Sequence, residues 1–445
     1  MRRPLCVFCV GTLGVELVCA FLPQTGLLLP FAAFFVPALL WLFFGKNSRG
    51  YGVCLLLGAL AGLLLTAHTR QKLDRVHTAY ADREVTLTAE VEEVSASYYP
   101  GVVHAVLRVE PTGGEETAFR MECVCMPKCT AGERVQARFA LEVPARTQQL
   151  SSYADGIALS GEYLAGMKHL GPSESFRAKT ARLQRRLSAA LRKGMAQGPA
   201  GVLAAMVLGD RTHLSKDLRS AYRAAGLSHV LVVSGMHVSI LCGDILSTLL
   251  PYEWEQSYRR RRCRAVFRSL LAFLLMGVTG FTPSVCRAAV AVWVGALGVW
   301  LYGPPDTLTS LAVAGIAMTA GSSYAVCDIG FELSFAAVLG TVAGGVCIRR
   351  ARDAWYRQFW KNAKNPVKRP GYFKLPERLW GLAESICISF CASVATFPVL
   401  VLRGLSVSIY AVASSVAVLW LIQPMMLLGL GTAFAGLVPA LAPLY

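Results

Sequence analysis

Long stretches almost free of charge decide what this chain can become. A helix needs about 20 apolar residues to cross the hydrocarbon layer of a membrane. Runs of that kind lie at 4–22, 25–44, 51–67, 227–250, 265–280, 284–302, 308–322, 329–348, 380–402 and 405–445. The last is long enough for two crossings, so about ten or eleven spans are expected. Only 16% of the 445 residues are charged and 54% are apolar, which excludes a soluble domain of ordinary size. The first run follows Arg2-Arg3 and partly imitates a secretory signal, with Val18-Cys19-Ala20 as a poor cleavage site. Two further spans follow almost at once, so it reads as a retained helix.

Basic loops orient such a chain. They are Arg2-Arg3, the Lys46/Arg49 turn, the Arg259–Arg262/Arg264 cluster, and the loop 349–378, where ten Lys or Arg face only Asp353 and Glu377. All four fall on the cytoplasmic side of a plasma membrane when residues 68–226 lie outside the cell. A net charge of +17 would suggest nucleic acid in a soluble protein, but here most of the excess is topology signal. The chain divides into three membrane helices (1–67), an extracytoplasmic β domain (68–170), basic amphipathic or interfacial helices (171–226) and a second membrane domain (227–445).

Between 84 and 165 the period changes to that of strands. EVTLTAEVEEV, GVVHAVLRVE, TAFRMECVCM, ERVQARFALE and GIALSGEYLA alternate apolar with polar, separated by turn residues and, before the fifth, a Pro-containing loop. Five short strands suggest a small barrel of the oligonucleotide-binding (OB) type, with a β-sandwich fragment as the alternative. Single-stranded nucleic acid on such a barrel needs a basic groove and aromatic platforms. Tyr98, Tyr99, Phe119 and Phe139 are candidate platforms, or core. Residues 83–165 hold seven basic against twelve acidic groups, so the positive charge must come from 166–226, with twelve basic against three acidic. Its densest part, Arg177, Lys179, Arg182, Arg185, Arg186, Arg192 and Lys193, reads as an amphipathic helix suited equally to lipid headgroups and to DNA.

Most of the fourteen cysteines lie in apolar runs as small hydrophobes. Only Cys123, Cys125 and Cys129 cluster outside, where strand packing, a disulfide involving Cys129 or a metal site are the alternatives; strand packing is preferred, and no metal or cofactor is expected.

Ionisable groups inside a bilayer cost a few kcal/mol each and usually pair or line water. In span 227–250, Ser234, His237, Asp244 and Thr248 recur at helical spacing and form one polar stripe if the helix is regular. Arg287 follows Pro283 by about one turn, and Glu332 sits at similar depth in its own span, so an Arg287–Glu332 ion pair is expected. Glu384 and Arg403 lie near span ends, where snorkelling explains them. Gly235, Pro283, Pro398 and Pro424 add helix-breaking chemistry, tolerated in membranes where backbone is buried in protein or lines a cavity. The stripe reads either as glue between packed helices or as the lining of a water-filled path.

Four collinear segments, LGDRTHLSKDLRSAYRAAGLSHVLVVSGMHVSI (208–240), PSVCRA (283–288), DIGFELSFAAVLG (328–340) and ASVATFPVLVLRGLSVSIYAVASSVAV (392–418), resemble the signature segments of the ComEC competence family. Residues 83–165, closing on YADGIALSGEYLAG, resemble that family's N-terminal barrel. The resemblance implies a bacterial plasma-membrane channel that passes single-stranded DNA inward during transformation. It would work beside a separate cytoplasmic motor and a DNA receptor, and a homo-oligomer is possible. It further implies that Gly209, Asp210 and Arg211, then Ser234, Gly235 and His237, then Pro283 and Arg287, then Glu332 and Ser334 define the channel. Arg182, Arg185, Arg186, Lys193, Tyr98 and Tyr99 are the candidate DNA contacts. Many relatives add a metallo-β-lactamase-like domain with an HxHxDH motif; these residues contain none, so no nuclease or other enzymatic activity is expected of them. A proton-coupled small-solute transporter using His237, Asp244 and Glu332, or a non-transporting scaffold, are the alternatives.

Overall fold

The structure is a computed structural model that describes residues 3–21, 33–39, 41, 49–96, 101–110, 118–193, 195–244, 258–301, 306–363 and 377–436. Helix α1 (Pro4–Phe21) lies against α2 (Arg49–Tyr80) along a seam of glycines. A Cβ at Gly58 would sit 2.1 Å from the carbonyl oxygen of Phe8, and one at Gly62 would sit 2.5 Å from that of Thr12. Small residues let the two backbones touch, which is how apolar helices associate where lipid supplies no hydrophobic driving force. The 32 residues of α2 extend about 48 Å, well beyond a hydrocarbon core of roughly 30 Å. Its last turns therefore leave the apolar stretch and enter the next domain, where Val76 and Tyr80 are buried.

That domain is a closed barrel of five strands, β1 (Arg83–Ala96), β2 (Val102–Val109), β3 (Phe119–Pro127), β4 (Glu133–Glu142) and β5 (Ile157–Pro172), in the order β1-β2-β3-β5-β4. All five expected strands are present, and closure excludes the sandwich. Alternation does the work: Leu87, Ala89 and Val91 of β1, Leu107 of β2, Met121 of β3, Phe139 of β4 and Leu159 of β5 all point inward and are buried. The β3–β5 pair is parallel, the others antiparallel. A register shift between Val91 and Glu93 marks a bulge in β1. Tyr80 closes one end, its ring 4.9 Å from that of Phe119. Cys123 and Cys129 are buried thiols of this barrel while Cys125 is exposed, so strand packing accounts for the cluster. The connection expected as a loop before β5 contains a helix, α3 (Arg146–Ala154).

From here the chain is helical: α4 (Phe176–Lys193), α5 (Gln197–Leu208), α6 (Lys216–Ala224), the five-residue α7 (Gly235–Ser239) running into a π-turn (Ile240–Asp244), α8 (Tyr258–Val278), α9 (Pro283–Trp300), α10 (Thr307–Thr319), a 3-10 turn (Ser323–Cys327), α11 (Ile329–Ala363), α12 (Glu377–Leu402) and α13 (Ala411–Ala435). Six helices, α1, α2, α9, α11, α12 and α13, are long and apolar enough to cross a membrane.

The expected ten or eleven spans are thus not reached among the described residues. Segment 227–250 is no continuous helix: residues 227–234 are turn and extended backbone, and 245–250 lie outside the described residues. Helix α10 has 13 residues, about 20 Å of helix, short of the core. Helix α8 holds Arg259–Arg262, Arg264 and Arg268 in its first half and is not apolar enough. Most of 25–44 and all of 437–445 are outside the described residues, and the rest of 405–445 supplies one helix, α13. Counting apolar residues does not detect where a helix breaks, as at 227–250, or where it is too short or too charged, as at α10 and α8; the expected spans in 25–44 and beyond 436 fall largely outside the described residues.

Helix α5 sits at the centre of this second domain, every residue from Ala200 to Leu208 buried. Leu187 and Leu191 of α4, residues 230–242, and faces of α8, α9 and α13 pack around it in one apolar core.

Candidate functional site

The convergence point of the membrane domain is built by the approach of residues 234–237, α9 and α11. Ser234 precedes α7 with extended backbone, and its N–H donates to His237 Nδ1 at 2.8 Å, with Ser234 Oγ 3.2 Å from the same nitrogen. An Nδ1 that accepts leaves the ring proton on Nε2. His237 is fully buried, with the Val232 backbone beside its ring, and its Nε2 makes no hydrogen bond of good geometry among the described residues. A buried donor left without a good partner costs about 1–3 kcal/mol.

Arg287 reaches the same place from α9. Its Nε donates to Ser334 Oγ of α11 at 2.5 Å. The other end of the guanidinium lies against Gly235, where a Cβ would sit 2.7 Å from Nη2. The absent Cβ at 235 lets the guanidinium lie close to the backbone, and Ser234, Gly235, His237, Arg287 and Ser334 form one constellation. Pro283 starts α9 at the first-turn position where a missing N–H costs nothing. It packs on the beginning of α11, 3.5 Å from a Cβ built at Gly330.

The expected Arg287–Glu332 pair does not form. Glu332 instead receives Arg403, Nε to Oε2 at 3.0 Å and Nη2 to Oε1 at 2.5 Å, while Arg403 Nη2 also donates to the Cys327 carbonyl at 2.8 Å. The reason is helical phase: two residues apart on a helix is about 200°, so Ser334 faces α9 and Glu332 faces the end of α12. Arg403 is thus a partner rather than a snorkelling surface group. The polar stripe is also corrected. Ser234 precedes the helix and a π-turn covers 240–244, so Asp244 loses the phase that a regular helix would have given it. The Asp244 side chain, Thr248, Tyr98 and Tyr99 lie outside the described residues.

Gly209, Asp210 and Arg211 form the loop that caps α5. Gly209 adopts φ 76°, ending the helix in the left-handed region. Asp210 accepts from Ser188 Oγ at 2.5 Å and from Thr212 N and Oγ1 at 3.0 and 2.5 Å. Burial opposes its charge, but these bonds outweigh burial and hold its carboxyl below the usual range. The Arg211 side chain is exposed.

The basic helix α4 exists as expected, yet part of its charge docks the barrel. Arg182 Nη2 donates to Ser173 O and Arg185 Nη2 to Ala131 O, both at 2.7 Å. Arg177 joins the Glu92 carboxylate at 3.2 Å, beside Arg120 at 2.7 Å, and lies 4.5 Å from the ring centre of Phe281, just before α9. Arg186 and Lys193 are exposed. The platform candidates Phe119 and Phe139 are both barrel core.

Two ionic groups of the helical domain, Arg268 and Glu16, were not singled out from the sequence. Arg268 Nε donates to the Cys242 carbonyl at 2.9 Å and supports the π-turn; a lone arginine well inside an apolar run was the available signal. Glu16 is 1% exposed in α1, between α2 and α10, and was hidden within a run read only for length. Arg403 was read as a snorkelling end group, and its pairing with Glu332 corrects that reading.

Comparison with known proteins identifies the family. Residues 206–445 match the family described as "Competence protein". The chain is similar to ComE operon protein 3 of Bacillus subtilis (strain 168), 24% identical over 173 residues, which are 39% of this chain and 22% of that protein. The chain thus spans about a fifth of the length of the curated relative it matches. No solved structure matches it. The matched region covers more than half of the sequence and contains the whole Ser234/Gly235/His237/Arg287/Ser334 constellation; the chain belongs to the Competence protein family.

Proposed function

We propose that this protein carries single-stranded DNA across a bacterial plasma membrane during uptake of external DNA, with the five-stranded barrel, of OB type, on the outer side. The reading is carried by Arg287, anchored through Nε to Ser334, its remaining guanidinium laid against Gly235 next to the buried His237 ring. A strand entering a low-dielectric layer needs partners for its phosphates, and a guanidinium held by one edge presents the other to a phosphate. The strand order β1-β2-β3-β5-β4 with a parallel β3–β5 pair supports the OB assignment, and the exposed Arg186 and Lys193 of α4 are the cations best placed for approaching DNA. No phosphate-cradling GxxxxGK[ST] sequence occurs in these residues, so the driving motor is assigned to a separate cytoplasmic protein and the initial capture of duplex to a separate receptor.

The decisive measurement is uptake of labelled DNA by cells carrying Arg287→Ala at wild-type protein level. Loss of uptake with surface-bound DNA retained is expected; unchanged uptake removes Arg287 from the path.

A further inference from the structure

Where α2 emerges from its apolar stretch it carries a polar feature that DNA conduction does not require. The apolar residues end at Ala67, and His68, Gln71, Lys72 and Arg75 follow at helical spacing on one face. Together with Arg108 of β2 and Ala118 they line a cavity of about 380 Å³. Of these groups, Lys72 and Arg75 are exposed on the helix, and Arg108 is 52% exposed with its nearest carboxylate, Glu92, 3.9 Å away. Among the described residues that line it, none is acidic and none is aromatic. Three cations, an imidazole and an amide suit a phosphate, while the lack of a ring leaves nothing on which a base could stack.

Depth selects the source of that phosphate. At 1.5 Å per residue, positions 68–72 fall within about 8 Å of the end of the apolar stretch, which is the thickness of a headgroup layer. Arg75 lies one turn higher, and arginine stems bend back toward the interface. The helix holding these residues is fixed at its far end by Val76 and Tyr80 inside the barrel core, so the cations are presented by a rigid element. On the reading of α2 as a membrane-crossing helix, we propose that this cavity binds the phosphate of an anionic phospholipid headgroup, clamping the foot of the barrel to the membrane surface.

The test uses the full chain in bilayer discs of phosphatidylcholine with or without phosphatidylglycerol, and counts retained lipid by native mass spectrometry. Wild type is expected to retain phosphatidylglycerol in preference to phosphatidylcholine. A Lys72→Gln/Arg75→Gln/Arg108→Gln variant is expected to bind phosphatidylglycerol about a hundredfold more weakly, while Lys72→Arg retains binding. If the triple variant does not fold, Lys72→Gln alone is expected to lose about fivefold. Equal retention of the two lipids by wild type, or unaltered phosphatidylglycerol binding in the variants, overturns the proposal. So does a single-stranded oligonucleotide that binds wild type but not the variants when phosphatidylglycerol does not distinguish them. Phosphatidylglycerol retained by Arg287→Ala protein that has lost DNA uptake separates this site from the conduit, and either reading can fail without the other.

Discussion

The barrel and the helical domain set their buried charged groups against different neighbours. In the barrel, acidic side chains are closed on by donors: Glu90, 6% exposed, accepts from Ser173 and Ser175 at 3.0 and 2.5 Å, and Glu92, whose side chain is 2% exposed, sits between Arg120 and Arg177. In the helical domain, His237 keeps a ring nitrogen without a hydrogen bond of good geometry among the described residues, and Arg287 leans on a glycine instead of a carboxylate. Closed polar networks rigidify, whereas an unsatisfied group is retained against its cost. Among the described residues Glu92 Oε1 also lacks a hydrogen-bond partner, so the difference lies in the neighbours: Glu92 faces arginines, whereas Arg287 faces Ser334 and the backbone of Gly235.

Arg287→Ala offers the largest expected effect and would break this contrast outright if harmless: uptake of labelled DNA should fall at least about thirtyfold, the scale on which losing one buried charge-assisted contact of 2–5 kcal/mol acts. Gly235→Ala should follow closely, because a Cβ displaces the guanidinium; uptake should drop roughly tenfold or more with the melting temperature little changed. Glu92→Ala tests the other half. Its arginine partners are 27–52% exposed and stay partly hydrated, so the loss is about 2 kcal/mol, below a fully buried pair. Thermal unfolding should register it, and uptake per folded molecule should not.

The smallest effect concerns the junction between the two regions. Partial burial, followed by the neighbouring Asp328 carboxyl, raises the Asp155 pKa from its usual 3.8 to about 6. A raised carboxyl binds its proton more tightly in the folded state, so stability is greatest at low pH and declines as pH rises through about 6. Asp328, Arg120 and Glu93 are the charges that face it. Asp155→Asn should flatten the pH dependence of melting between about 4 and 6; an unchanged profile excludes Asp155 as its source.

Legibility followed the physics of each region. The five strands were readable because one face of each is buried and alternation reports that directly. Helix α5 escaped notice because twelve small and apolar residues are too few to suggest a span and carry no polar face. The constellation was half legible: Ser234, Gly235, His237, Arg287 and Ser334 were named, but their partners were not. Depth alone suggested Glu332 for Arg287, whereas helical phase sent Glu332 to Arg403. The stripe through Asp244 failed because a regular 100° step was assumed across what is a π-turn.

Helix α2 passes unbroken from the glycine seam with α1 into the floor of the barrel, where Tyr80 meets Phe119. A domain mounted on such a mast cannot drift like a bead on a string. Any sideways pull on it is felt below as a lean of the mast, and the α1 contact at Gly58 and Gly62 is the bearing that must resist that torque.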